Sequence, residues 1–176
     1  MPEYHSVFIV KKNSSIKKLN DFYGKIIAFE DPGSTSAYLL PKAYLIQKGF
    51  DLSDSPRKNN ISYAFSGDDE NTPVWIIEGK ADIGAISNVN FENYPDSIKD
   101  KITIIERTKN VPRYIVSHRS GLEQEKVEQI KRILLNMDRD PKGIEVLKNF
   151  KTEKYDEIPN KEEFLTNISI MIDLLN

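Results

Sequence analysis

The spacing of apolar and polar positions changes repeatedly along this chain, and each change predicts an element. From Tyr4 to Lys12, "YHSVFIVKK" is dense in β-branched and aromatic residues and predicts a strand. "SSIKKLNDFYG" follows and predicts a short helix capped by Ser15, carrying Ile16 and Leu19, and stopping at Gly24. "KIIAFE" is a short continuous apolar run, the pattern of a strand covered on both faces. Tyr38, Leu39, Tyr44 and Leu45 then recur at helical spacing up to Gly49, a C-cap signal. "DLSDSPRKNN" predicts a polar loop and "ISYAFSG" a strand. "DENTPVWIIEGK" predicts a helix with Pro73 in its first turn, where the missing N–H costs no hydrogen bond. Trp75 and the surrounding "VWII" run read as core. "ADIGAISN" predicts a small apolar strand, "NFENYPDSIKD" a short helix or turn, and "KITIIER" another strand.

Strand and helix alternating in this way predict an α/β fold, a parallel sheet with crossover helices. After Arg107 the pattern changes. "RYIVSHR" predicts one more strand. Beyond it Val127, Ile130, Ile133, Leu134 and Met137 share a helical face, and "DPKGIEVLKNF" and "KEEFLTNISIMIDLL" predict two further amphipathic helices. The expected organisation is an α/β lobe over residues 13–110, flanked by 1–12 and 111–176. The flanks would form a partial second lobe of strands and C-terminal helices, joined to the first by two chain crossings.

With 176 residues the chain suits one domain or two small lobes. Charged residues at 30% and hydrophobic residues at 39% give an ordinary globular balance. A net charge of -2 disfavours nucleic acid and anionic membrane as partners, while leaving room for one small anion in a local pocket. The absence of cysteine excludes disulfides, thiolate metal sites and cysteine nucleophiles. No apolar run reaches membrane-spanning length. "MPEYHSVFIVKKN" has no basic start, long apolar core or small-residue cleavage site, so a signal peptide is not expected in it.

The candidate chemistry gathers where strands hand over to helices. In "EDPGSTSAYLLPKAYL", Ser34, Thr35 and Ser36 stand at such a handover. The first N–H groups of a helix carry partial positive charge, a glycine turn allows close approach, and hydroxyls add neutral donors. That combination suits phosphate, sulfate or carboxylate. It equally suits a plain N-cap, and the spacing leaves both readings open. A second handover, "FSGDDENTP", places Asp68, Asp69 and Glu70 at a helix start. A carboxylate there either complements the helix dipole or faces a cleft. A third strand ends at Ser87 and Asn88. Ligands of open α/β sheets sit at that strand edge, so three small polar junctions are expected on one rim. Catalysis finds little support. His5 and His118 both lie in strand-like apolar segments and read as structural, and no nucleophile, Walker or dinucleotide motif appears. Neither a metal nor a cofactor is expected.

Taken together, these residues resemble the phosphate/phosphonate-type substrate-binding proteins of ABC importers. Ile16, Leu19, Gly24, Lys25, Phe29, Asp31, Pro32, Ser34, Thr35, Ser36, Tyr38, Leu39 and Pro41 match that family's helix and its "DP.STSGYL.P" junction. "ADIGA" around Asp82 and "VPRYIVSHRSGL" extend the match over nearly the whole chain. The resemblance implies a class II periplasmic binding protein-like clamp and no enzymatic activity. It implies Ser34, Thr35 and Ser36 as ligand donors to a phosphoryl group. Asp69 falls where the family often has a ligand-binding histidine, and Ser87 where it often has an acid. An acid at Asp69 would repel a dianion, so the hold on phosphonate is expected to be weaker. The implied partners are a small oxyanion and an ABC permease, and the implied location is periplasmic or extracellular at the membrane. A sensing module linked to a kinase or regulator is the alternative of another class. The family's opening strands and helices have no counterpart here, which implies an incomplete lobe: either the chain is a fragment, or a partner subunit, such as a second copy in a homo-oligomer, supplies the missing half.

Overall fold

The computed structural model describes residues 4–55, 60–150 and 152–175. The chain folds as two compact units. One runs from Tyr4 to Val111 and takes in Thr166–Asn176, and the other spans Pro112–Leu165.

The larger unit is built on a six-stranded sheet. Its strands are β1 (Ser6–Lys11), β2 (Ile26–Phe29), β3 (Leu52–Ser53), β4 (Ile61–Phe65), β5 (Ile83–Ser87) and β6 (Ile102–Arg107), in the order β3-β4-β2-β5-β1-β6. β2 runs parallel to β4 and β5, and β3 parallel to β4. β1 is antiparallel to both β5 and β6, so the sheet is mixed rather than wholly parallel. Four α-helices are interleaved with the strands: α1 (Leu40–Gln47), α2 (Asn71–Glu78), α3 (Asn88–Asn93) and α4 (Asp96–Lys99).

The period-two alternation of the strands divides the core into two layers. Phe8, Val10, Ile27, Phe29 and Ile83 pack on one face with Phe22, Leu45 and Ile61. Val7, Ile9, Ala28 and Ile86 pack on the other with Ile76 of α2. Gly84 permits that second layer to close, because a Cβ there would meet Thr72 at 2.9 Å and Ile9 at 3.0 Å. Gly49, at φ +85°, ends α1 in the left-handed conformation that the sequence predicts for it.

Several expectations are corrected. β1 belongs to the α/β unit and not to the flank over residues 1–12, because it fills the gap between β5 and β6 and is buried from Ser6 to Val10. Ser15 caps nothing. The segment forms only a 3₁₀ turn, Leu19–Phe22, organised by Asp21, whose carboxylate accepts from the amides of Lys17 and Lys18. Two residues of the predicted polar loop form β3, while its residues 56–59 lie outside those described. "RYIVSHR" is not a strand. Only Val111 before it forms a bridge, to Tyr4, and Tyr114, Ile115 and Val116 are exposed. An extended apolar run needs a neighbouring strand to take its backbone hydrogen bonds, and none among the described residues lies beside this one. His118 is accordingly exposed, whereas His5 is buried as expected.

The smaller unit is helical: α5 (Gln124–Leu135), a 3₁₀ turn at Met137–Arg139, α6 (Pro141–Asn149), and the first residues of α7 (Lys161–Leu175). Asp140 caps α6 by accepting from the Gly143 amide at 2.8 Å. Lys131 pairs with Glu157 at 3.0 Å.

Candidate functional site: a rim of strand-to-helix junctions

Because β2, β4 and β5 are parallel neighbours, their C-terminal ends lie along one edge of the sheet. β1 runs the other way, so its start joins them there, with Ser6 opposite Ser87. The three polar junctions predicted from sequence are therefore brought to one rim.

At the end of β2 the helix opens with a π-turn, Thr35–Leu39, that continues into α1. The Leu39 amide donates to the Ser34 carbonyl at 3.0 Å, an i→i+5 bond. Ser34 is the N-cap. Its oxygen accepts from the Ala37 amide at 3.2 Å and its proton goes to Glu30 at 2.7 Å. The cap reading thus holds for Ser34. Thr35 is exposed, and no described hydrogen bond uses its hydroxyl. Ser36 is buried. Its hydroxyl accepts from Tyr4 at 2.7 Å, and its carbonyl accepts from Ser6 Oγ at 2.5 Å. The amides of Thr35 and Ser36 precede the first intrahelical bond, and none of the described hydrogen bonds engages them.

At the end of β4, Ser66 is bound inward to the Phe29 carbonyl and to Thr72, which locks the junction against β2. Asp69 accepts a short hydrogen bond from the Asn90 amide group, and Tyr94 donates to the Asp69 carbonyl at 2.5 Å. Burial is the largest cause holding the Asp69 carboxyl above the usual carboxylate range, followed by the hydrogen bond its protonated form donates to the Asp68 carboxylate and the charges of Glu30, Asp68 and Glu70. Burial and then the same carboxylates raise the Tyr94 phenol. None of the described ion pairs neutralises this acidic group. Beside it lies an open depression of about 470 Å³ lined by Asp69, Glu70, Asn90 and Tyr94 among others. At the end of β5, Ser87 is buried and caps α3 through the Asn90 amide at 2.9 Å.

The rim therefore presents two helix amides and a threonine hydroxyl at one junction, next to an acidic wall at another. Sequence reading missed Glu30, Asn90, Tyr4 and Ser6, which hold the predicted residues in place. The alternation of β1, which puts Tyr4 and Ser6 on one face, was the available signal for two of them. Nothing local marks Asn90.

This arrangement has relatives. A family model described as the periplasmic phosphonate substrate-binding protein of ABC transporters matches residues 1–162. The chain belongs to that family. It is 26% identical over 174 residues to the probable ABC transporter phosphite-binding protein PhnD1 of Prochlorococcus marinus, covering 91% of this chain and 58% of that one. A phosphate-import protein of Mycolicibacterium smegmatis is 36% identical over 86 residues, covering 47% of this chain and 27% of that protein. Among solved structures, the Xanthomonas citri protein XAC2383 bound to ATP superposes with a TM-score of 0.88 at 26% identity, covering 99% of this chain and 69% of the other. The chain thus spans 58% or less of the length of these two sequence relatives. The mixed sheet and the solved neighbours give it the fold of class II-type periplasmic binding proteins. No helix among the described residues is long and apolar enough to cross a membrane.

Proposed function

We propose that this chain supplies the anion-gripping part of the solute-binding component of an ABC-type phosphate or phosphonate uptake system. A small oxyanion would dock at the N-terminus of the helix that begins at Thr35. The observation that carries this reading is the pair of unclaimed amides at Thr35 and Ser36, at the C-terminal edge of parallel strands. Two aligned N–H groups and a helix dipole favour an anion without requiring Lys or Arg. Family membership supports the transport role, an ABC permease as partner and a periplasmic or extracellular location. Ser34 would join the ligand only by exchanging its bond to Glu30. Ser87, as a buried cap, would shape the rim rather than touch the anion. Asp69 and its carboxylate neighbours would disfavour a dianion and accept a protonated oxygen.

The exposed apolar side chains of α5, α6 and α7, among them Ile133, Val146 and Ile172, support association with further polypeptide. Light scattering tests whether a second copy of the chain provides it.

The deciding experiment is a thermal-shift and calorimetric screen of phosphate, phosphite, methylphosphonate, sulfate and ATP, the last because the Xanthomonas citri neighbour was solved with it. A ligand at a hundred times its Kd stabilises the folded state by about 2.7 kcal/mol. A binder whose effect vanishes in Thr35→Pro, which deletes one of the two amides, is the expected result. No response to any of the five overturns the reading.

A further inference from the structure

Tyr4 stands where two features of the molecule meet. It is the first residue of the α/β unit, and Val111 is the last residue of that unit's main segment. The two form an isolated backbone bridge, with the Val111 amide donating to the Tyr4 carbonyl at 2.8 Å. The point where the chain leaves the α/β unit, Val111, is therefore hydrogen-bonded back to Tyr4. From the same residue the side chain reaches the helix N-terminus, where the phenol donates to Ser36 Oγ at 2.7 Å across 32 positions of sequence. Two residues on, Ser6 Oγ donates to the Ser36 carbonyl at 2.5 Å, and its own amide donates to Thr108 Oγ1 at 2.9 Å. Tyr4 thus holds the Ser36 side chain and Val111, while Ser6 holds the Ser36 backbone and Thr108.

A hydroxyl has one proton and two acceptor lone pairs. Ser36 spends one lone pair on Tyr4 and keeps its proton to donate. The bond from Tyr4 also restricts rotation of the Ser36 side chain, which is only 7% exposed. Without that restraint the Ser36 hydroxyl would turn among staggered rotamers.

We infer that Tyr4 is a positioning residue of the oxyanion site: its phenol sets the direction in which Ser36 donates, and its backbone bridge to Val111 makes the state of the site felt where the chain leaves the unit. This inference rests on the proposed oxyanion reading. It assigns Tyr4 no contact with the ligand.

The test is a double-mutant cycle in Tyr4→Phe, Ser36→Ala and the combined variant, using calorimetry with inorganic phosphate and methylphosphonate. Tyr4→Phe keeps the ring and removes the phenol's hydrogen bond to Ser36, so it should weaken binding by about three- to tenfold, the usual worth of such a bond. The melting temperature of the unliganded protein should stay near that of the wild type. In the Ser36→Ala background the same change should alter affinity by less than about twofold, because the group being positioned is gone. A merely structural Tyr4 would lower the melting temperature and cost affinity equally in both backgrounds. A Tyr4 that binds the anion directly would keep its full cost without Ser36. Either result overturns the inference. Hydrogen exchange gives the second reading: ligand should slow exchange of the Val111 amide in the wild type and not in Tyr4→Phe. If the wild type binds and Tyr4→Phe binds as tightly, the inference fails alone. If the wild type binds neither anion, the oxyanion reading fails and takes the inference with it.

Discussion

The two units of this protein treat their apolar residues in opposite ways. Every buried hydrophobic side chain among the described residues, apart from Leu147, lies between Val7 and Ile102. In that stretch both faces of a sheet are covered by helices of the same chain. Among the described residues between Pro112 and Leu165 only Gly143 and Leu147 are buried, while Tyr114, Ile130, Ile133 and Phe150 stand largely open. Yet α5 and α6 are as strongly patterned as any helix in the molecule. Patterning makes a helix amphipathic, and only a facing surface makes it buried. The α/β unit supplies its own facing surfaces, and it also carries every residue of the candidate site.

The largest expected effect breaks this contrast directly. Phe8→Ala empties a fully buried position between two aromatic neighbours, Phe22 and Tyr44, and should destabilise the protein by about 3–5 kcal/mol. Phe150→Ala, at a side chain 70% exposed, should change stability by no more than about 0.5 kcal/mol. Urea unfolding followed by the single tryptophan, Trp75, measures both. Equal losses would show that the helical unit is covered after all.

A middle-sized effect belongs to ligand affinity and to the rim alone. Asp69→His removes a carboxylate from the acidic wall and should tighten methylphosphonate binding by about five- to tenfold, on the order of 1 kcal/mol. Calorimetry on the two proteins decides it. Unchanged affinity would mean that Asp69, held by Asn90, does not face the anion.

The smallest effect is a pH dependence. The Asp69 carboxyl is raised in the folded protein, first by burial, so ionising it costs stability. A group of this sign favours folding below its unperturbed value of 3.8, and that contribution is lost as pH rises through the folded value. Asp69→Asn should therefore melt slightly higher than the wild type at neutral pH, and the gap should close as pH falls towards 3.8. A gap that widens in acid would reverse the sign assigned to this residue. The effect is small because the carboxylate is partly solvated and screened.

What could be read from the sequence follows the range of the interaction involved. The "KIIAF" strand, the helix stop at Gly49, Pro73 in the first turn of α2 and the helix start after Ser34 all depend on neighbours a few residues away, and each stands where the local pattern puts it. Ser15 misled because Asp21 competes for the same turn, binding the Lys17 and Lys18 amides in place of a serine cap. "RYIVSHR" misled because strand propensity is realised only beside a partner strand, and propensity says nothing about whether one is present. At the site, the hydroxyl triplet was visible as a group, but the separate fates of its members were not. Ser34 became the cap, Thr35 stayed open and Ser36 was buried, because Glu30 and Tyr4 chose between chemically equivalent neighbours.

By itself the sequence determined the alternation of strands and helices, the absence of any cysteine chemistry and the placement of small polar residues at strand ends. These follow from side-chain period, composition and turn geometry, which act within a few residues. Tertiary structure alone decided that β1 enters the sheet antiparallel between β5 and β6, bringing Tyr4 and Ser6 to Ser36 from thirty or more residues away. It also decided that Asp69 is drawn to Asn90 across 21 positions and sits among three other carboxylates. Such meetings depend on strand order, and strand order is chosen by how the two apolar faces of the sheet can both be covered, a property of the whole packed unit that no short stretch of residues contains.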